Sequence, residues 1–115
     1  MRGDNNKKSE IRNKKSGRGG FTPHLFMHYF YIIQSIKKSN EIYSGSTNNL
    51  KERVTNHNKG KVISTKRYLP WRLVYYEAYL SEDDARAREK KFKKHGKGNN
   101  ELKKRIKNSL EHESN

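Results

Sequence analysis

The chain has 115 residues, with 27 Lys and Arg against 12 Asp and Glu, a formal net charge of +15 and 30% hydrophobic residues; this predicts one domain with a small core and a polyanionic partner. No apolar run approaches the ~20 residues of a membrane span, and the absence of cysteine excludes disulfides, thiolate zinc sites and cysteine nucleophiles. Nucleic acid is therefore favoured over a membrane as the partner, although basic charge alone is common in ribosomal and chromatin proteins and does not indicate an enzyme.

The N-terminal segment, residues 1–26, is polar and basic and has one aliphatic residue before Leu25, so it cannot bury enough apolar surface to order itself. We expect a disordered tail that either binds phosphates non-specifically or is an inert leader. It has no apolar stretch typical of a secretion signal, and a cytoplasmic protein is expected. We hypothesise that Met27 is the natural start of the folded domain, which we place at residues 27–110, followed by a frayed C-terminus at 111–115.

Two strands and a helix are predicted next. Residues 28–36 are dense in aromatic and β-branched side chains and predict a strand, and residues 41–46 predict its hairpin partner. Leu50 and Val54 then follow at i and i+4, between N-cap residues and a C-terminal glycine. This pattern predicts a short helix over about residues 48–58.

The second half of the chain predicts a loop, a strand and two helices. Residues 61–71 are polar and basic and predict the loop, and residues 72–80 predict the third strand. A helix begins with Ser81 as N-cap, three acids in its first turn and lysines in its last, which complements the helix dipole. Residues 100–110 have apolar side chains at i, i+4 and i+8, which predicts one further amphipathic helix.

The order β-β-α-β-α-α predicts an α/β fold of the α+β type. Its sheet would be three-stranded, mainly antiparallel and flanked by helices. Such a fold by itself fixes no function.

The second predicted helix carries a carboxylate in an unexpected place. If Ala85 and Phe92 face the core, Glu89 lies on the same stripe. Buried acids usually have a partner or a metal ion, whereas Arg88 or Lys90 could simply pair with Glu89 at the surface. Periodicity alone leaves a functional carboxylate and a surface ion pair both open.

The first predicted helix carries a basic pair. Arg53 and His57 are i, i+4 neighbours, so their side chains project together. An arginine fork suits a phosphate oxygen, and a neighbouring imidazole can donate to that oxygen or transfer a proton. Taken alone, however, this helix is explained more simply by a solvated basic face.

Tyrosine is unusually abundant in the predicted strands. Because a tyrosine ring can fill a small core while its hydroxyl stays at a polar edge, most of these residues are expected in the core. They are Tyr29, Tyr31, Tyr43, Tyr75, Tyr76 and Tyr79. Near Tyr43, Gly45 would let the backbone pass close to another group, and the helix N-terminus that follows can receive a phosphate.

In this order, these features resemble the small stand-alone nucleases of the GIY-YIG family. The resemblance rests on the tyrosine triplets at residues 29–31 and 43–45, on Arg53 and His57, on the Pro-Trp pair before the third strand, and on the AxxREK segment. It covers about residues 28–110. The triplets read YFY and YSG, so a serine stands at the usually apolar middle position of the second.

The resemblance implies a role for each matching residue. Tyr31 and Tyr43 would line the active site, Arg53 would steady the scissile phosphate with the help of His57, and Glu89 would bind one divalent ion, Mg²⁺ or Mn²⁺. A water deprotonated by one of the two tyrosines would attack phosphorus. A free tyrosine, with a pKa of about 10, is a poor base at neutral pH, so the histidine, the arginine or the metal must help.

Many relatives in the family also have an asparagine downstream of the acid. Asn99, Asn100 and Asn108 are all candidates for it, and this role is left unassigned.

The resulting prediction is a metal-dependent DNA endonuclease of low sequence specificity, acting in repair, recombination or mobile-element processing. A non-catalytic nucleic-acid-binding module on the same fold is the alternative, and an RNA-binding protein with exposed aromatics would leave Glu89 unexplained. We expect a monomer that binds DNA, no membrane and no small-molecule cofactor. The predicted DNA contacts are Gly45, Ser46, Lys51, Lys66, Arg67 and Lys90.

Overall fold

A computed structural model of the chain describes residues 27–94 and 100–112. The elements in chain order are β1 (His28–Ser35), β2 (Ile42–Thr47), α1 (Leu50–Asn58), a 3-10 turn (Lys66–Tyr68), β3 (Trp71–Tyr79), α2 (Glu82–Lys94), α3 (Asn100–Arg105) and α4 (Lys107–Glu111). The predicted tail at 1–26, Asn99 and the last residues, 113–115, lie outside the described residues. None of the helices described is long and apolar enough to cross a membrane.

The three strands form one antiparallel sheet in the order β2-β1-β3. The central strand β1 is the most buried of the three, because both of its faces are covered. At its middle, Tyr31 pairs with Gly45 of β2 on one side and with Tyr76 of β3 on the other. The predicted three-stranded sheet flanked by helices is confirmed.

Helices cover both faces of the sheet. Because successive side chains of β1 point to opposite faces, its apolar residues divide between two clusters. Phe30 and Ile32 pack with Phe92 of α2 and with residues of α3 and α4. Tyr31 and Ile33 form the other cluster, with Trp71 and the apolar residues of α1. Alternate side chains of β1 therefore belong to two small cores, one on each face of the sheet.

The predicted starts of α1 and α2 both have side-chain caps. In α1, the Asn49 side chain accepts a hydrogen bond from the Glu52 amide at 3.1 Å. Before α2, the Ser81 hydroxyl accepts from the Asp83 amide at 3.2 Å. These bonds satisfy amide groups that the first helical turn leaves without a partner.

The predicted single helix over residues 100–110 is wrong in one respect, since the segment forms two short helices that meet at Ile106. The backbone of Ile106 has φ −108° and ψ 25°, outside helical values. Gln34 donates to the Leu110 carbonyl at 2.9 Å and Arg72 donates to the Ser109 carbonyl at 3.0 Å. These two bonds hold the last turn against the sheet.

The predicted loop at residues 61–71 is more ordered than its composition indicates. It contains the 3-10 turn, and Trp71 already belongs to β3. Asn58 accepts from the Trp71 amide at 2.6 Å and donates to the Trp71 carbonyl at 2.9 Å. The Trp71 indole donates to the Thr65 carbonyl at 2.8 Å. These three bonds tie the loop to both the end of α1 and the start of β3.

Candidate active site

Tyr31 lies at the centre of the sheet, and its side chain is 0% exposed. Its ring lies against Gly45 of the neighbouring strand. A Cβ atom at Gly45 would be 2.6 Å from the Tyr31 hydroxyl oxygen and 2.8 Å from Cζ, too close for any side chain. The close approach predicted at Gly45 is therefore an approach to Tyr31.

The Tyr31 hydroxyl lies between two side chains of α1. It is 2.8 Å from Nε2 of His57, and it accepts a hydrogen bond from Nε of Arg53 at 3.1 Å. One helical turn separates the two α1 residues, which is why both reach the same oxygen. The simpler explanation of this pair as a solvated basic face is wrong, because the His57 side chain is 0% exposed.

His57 is enclosed by neutral groups on several sides. Its Nδ1 is 2.7 Å from Oγ1 of Thr65, and its ring makes edge contacts with the rings of Tyr31 and Tyr43, at centroid distances of 5.8 and 5.3 Å. Burial, and next the positive charge of Arg53, lower the pKa of His57 to about 4. Its imidazole is therefore uncharged at neutral pH.

Burial also raises the pKa of Tyr31, against the opposing effect of its hydrogen bond from Arg53. At neutral pH the site thus combines a protonated phenol, a neutral imidazole and a guanidinium cation. This combination allows the imidazole to accept a proton from the phenol.

The lowered pKa of His57 predicts a loss of stability on mild acidification. In the unfolded chain its pKa is near 6.5, so protons bind the unfolded state first, and the free energy of unfolding falls as the pH drops from about 6.5 towards 4. The loss should reach as much as about 3 kcal/mol. Urea unfolding at several pH values measures it, and in His57→Gln the decline over this range should be much smaller. Equal declines in both proteins would contradict the prediction.

Glu89 lies on α2 beside the β2 edge of the sheet. Its Oε1 accepts a hydrogen bond from the Ser46 hydroxyl at 2.7 Å. Its Oε2 accepts from Nζ of Lys93, also at 2.7 Å. The pairing with Arg88 or Lys90 that the sequence left open is not observed: Glu89 pairs with Lys93, and Arg88 binds Glu77.

A depression of about 720 Å³ opens beside the Glu89 carboxylate. Its lining residues are Ser46, Arg86, Glu89, Lys90, Lys93 and Lys94. The four basic side chains could bind a polyanion, and the carboxylate could bind a cation that accompanies it.

The donor set fits a magnesium ion with few protein ligands. Within residues 27–94 and 100–112, no three acidic, histidine or cysteine side chains are grouped as a complete metal site. Mg²⁺ commonly binds one or two carboxylates and completes its shell with water and substrate phosphate. The half-buried Glu89 side chain, 23% exposed, already holds the ammonium of Lys93, and a metal ion would take the place of that cation.

The predicted DNA contacts fall into separate places. Ser46 and Lys90 lie beside Glu89, whereas Lys51 lies on a second depression, between α1 and Leu73 of β3. Lys66 and Arg67 are exposed in the 3-10 turn that follows Thr65. The structure therefore brings two of these five basic or polar positions to the carboxylate, and the other three lie elsewhere on the surface.

Two residues of the site were missed by the sequence reasoning. Lys93 is four residues after Glu89, and the usual pairing of charges one helical turn apart could have identified it. Thr65 gave no signal, because a threonine in a polar loop is unremarkable until the loop is folded against His57.

Gly45→Ala is expected to lower the free energy of unfolding by about 1–3 kcal/mol, because the new methyl group overlaps the Tyr31 hydroxyl and ring and overpacks the sheet. Urea unfolding measures the loss. Gly60→Ala is a suitable control: Gly60 has φ 74°, so alanine strains the backbone there, but its nearest neighbours are 3.7 Å away. A loss no larger in Gly45→Ala than in Gly60→Ala would contradict the argument.

Comparison with known proteins gives consistent matches. The model of a family described as the GIY-YIG catalytic domain matches residues 27–103. UPF0213 proteins of Streptococcus pyogenes serotypes M3, M1 and M4 are each 40% identical over 67 residues, which are 57% of this chain and 71% of the relative. No solved structure matches the chain.

Proposed function

The chain belongs to the GIY-YIG family of nuclease domains, and from this premise we propose that it is a divalent-metal-dependent endonuclease that hydrolyses phosphodiester bonds in DNA. The observation that carries the proposal is the Tyr31 hydroxyl, held between His57 Nε2 at 2.8 Å and Arg53 Nε at 3.1 Å. A buried hydroxyl with a neutral base on one side and a cation on the other is suited to proton transfer next to a bound anion.

Arg53 is the residue that holds the scissile phosphate. Its guanidinium has five N–H donors, of which Nε is used on Tyr31, so further donors remain for phosphate oxygens. The bond to Tyr31 also fixes the guanidinium in place before the substrate binds. Its charge stabilises the extra negative charge that develops on phosphorus during attack.

The proton of the attacking water passes through Tyr31. As the water oxygen bonds to phosphorus, its proton moves to the Tyr31 oxygen while the original hydroxyl proton moves to Nε2 of His57. Tyr31 therefore never has to exist as a free phenolate, which its raised pKa would disfavour. Burial, and next the charge of Arg53, disfavour the protonated imidazole, and the negative charge of the bound phosphate offsets these effects.

Glu89 is the residue that would hold the metal, with Ser46 orienting its other carboxylate oxygen. A divalent ion held there would supply charge stabilisation for the leaving 3′ oxygen. Lys93 would then be displaced from Glu89, and its ammonium would be available for the DNA backbone.

The proposal includes a monomer with low sequence specificity that serves repair, recombination or mobile-element processing. The described residues form one small domain, and its basic side chains attract a polyanion such as the DNA backbone. Such contacts bind the phosphate backbone without reading bases.

Cleavage assays test the proposal. Supercoiled plasmid and flapped or branched oligonucleotides are incubated with the full chain in Mg²⁺ or Mn²⁺, and in EDTA. We expect nicking that requires the metal. Tight, metal-independent binding without cleavage of any substrate would support the alternative, a non-catalytic module on the same fold.

A further inference from the structure

Thr65 is a buried polar residue next to the proposed proton path. Its side chain is 0% exposed, and it immediately precedes the 3-10 turn. Its Oγ1 is 2.7 Å from Nδ1 of His57 and 3.3 Å from the carbonyl oxygen of Val62. A hydroxyl has one proton to donate, so it can donate to only one of these two neighbours.

The Thr65 hydroxyl donates either to the Val62 carbonyl or to Nδ1 of His57, and the two arrangements differ in where the His57 and Tyr31 protons lie. If Thr65 donates to the Val62 carbonyl, His57 donates from Nδ1 to Thr65 and Tyr31 donates to Nε2. The Val62 carbonyl is then shared by three donors, the Thr65 hydroxyl and the amides of Thr65 and Lys66, and each of the three side-chain protons lies on an acceptor. If Thr65 instead donates to Nδ1, then Nε2 carries the imidazole proton and must donate to the Tyr31 oxygen. That oxygen already accepts from Arg53, and the Tyr31 hydroxyl proton loses its histidine acceptor.

Burial favours the first arrangement, because a buried donor without an acceptor destabilises the state that contains it. The neutral imidazole then has its proton on Nδ1 and a free lone pair on Nε2. This is also the form that can accept a proton from Tyr31.

The position of Thr65 is itself fixed by neighbouring elements. Its carbonyl accepts from the Trp71 indole at 2.8 Å, and its amide donates to the Val62 carbonyl at 3.1 Å. Trp71 is in turn held at both its amide and its carbonyl by Asn58 of α1. The loop can therefore hold the hydroxyl at one place relative to the helix that carries His57.

We propose that Thr65 is a positioning residue that fixes His57 in its Nδ1-protonated form and so keeps Nε2 ready to accept the Tyr31 proton. The effect on cleavage rests on the proposed nuclease function, but the state of the imidazole does not. The two parts therefore have separate tests.

The state of the imidazole is tested by nitrogen NMR of the full chain at pH 7.5. Long-range proton–nitrogen spectra distinguish protonated from unprotonated ring nitrogens, and the signals of His57 are identified by their loss in His57→Gln. The expected result is a protonated Nδ1 and an unprotonated Nε2. A protonated Nε2 in the unaltered protein overturns the proposal, whatever the protein does to DNA.

Variants at Thr65 test its role. Thr65→Val keeps the shape and removes the hydroxyl, and it should shift His57 towards the Nε2-protonated form. Thr65→Ser keeps the hydroxyl and should preserve the Nδ1-protonated form even if it lowers the melting temperature. Thr55→Val, at an exposed position of α1, is the matched control and should leave the spectrum unchanged.

Cleavage rates complete the test. Thr65→Val should cleave DNA about tenfold to a hundredfold more slowly than the unaltered chain, because a lost hydrogen bond and an unsatisfied buried donor shift an equilibrium by about that factor. Thr65→Ser should restore most of the rate. An undiminished rate in Thr65→Val with a changed imidazole overturns the positioning role, and so does an equal loss in the valine and serine variants.

Discussion

Glu89→Gln is expected to reduce metal-dependent DNA cleavage by at least about a thousandfold, because a metal ion supplies several kcal/mol of charge stabilisation and each 1.36 kcal/mol is tenfold in rate. The substitution keeps the size of the side chain and one oxygen able to accept from Ser46, 2.7 Å away. It removes the charge that a divalent ion requires. DNA affinity should stay within about threefold, since the phosphate contacts come from basic side chains.

Plasmid nicking at several Mg²⁺ concentrations and fluorescence anisotropy with labelled DNA measure the two effects. Glu101→Gln changes the same charge on an exposed position of α3 and should cleave at the normal rate. If Glu89→Gln cleaves normally and its activity remains sensitive to EDTA, Glu89 does not hold the metal. A parallel loss of cleavage and of DNA binding would indicate a wider disturbance than loss of one ligand.

Tyr31→Phe is expected to slow cleavage by about a hundredfold to ten-thousandfold, the range that positioned proton transfer usually contributes. The ring still fills its place against Gly45, so the sheet is retained. The hydroxyl that joins His57 and Arg53 is lost, and with it the path of the proton. Stability should fall by about 1–3 kcal/mol, because the buried His57 and the partly buried Arg53 both lose their partner.

Single-turnover cleavage, together with urea unfolding, tests this prediction. Tyr75→Phe is the matched control, because it also removes a hydroxyl from a bond, here one of 2.7 Å to Glu77, on the opposite face of the sheet. It should lose some stability and retain its cleavage rate. A normal rate in Tyr31→Phe would remove Tyr31 from the proton path and leave Tyr43 as the tyrosine beside His57.

The two variants fail in different ways if the mechanism is right. Tyr31→Phe should bind Mn²⁺ as the unaltered chain does, because Glu89 and Ser46 are unchanged. Glu89→Gln should lose Mn²⁺ binding but keep the His57 imidazole in its usual state. Electron paramagnetic resonance with Mn²⁺ separates these outcomes without any cleavage.

The sequence by itself determined the features that repeat at short range. The alternating and helical periodicities of the apolar residues predicted the strands and α1 and α2, and the i, i+4 spacing of Arg53 and His57 predicted that they project together. These patterns hold because each depends on residues within one or two turns of the same element. The stripe of Ala85 and Phe92 was likewise read correctly, as both are buried.

Only the tertiary structure decided what these side chains meet. Tyr31, the partner of His57, is 26 residues away from it on β1. Ser46, which binds Glu89, is 43 residues away from Glu89. Such contacts depend on how strands and helices pack, which local periodicity does not encode. The same packing buried His57 and made it neutral, brought Thr65 to its second nitrogen, and placed Arg53 and His57, which looked like a solvated basic face, on either side of the Tyr31 hydroxyl.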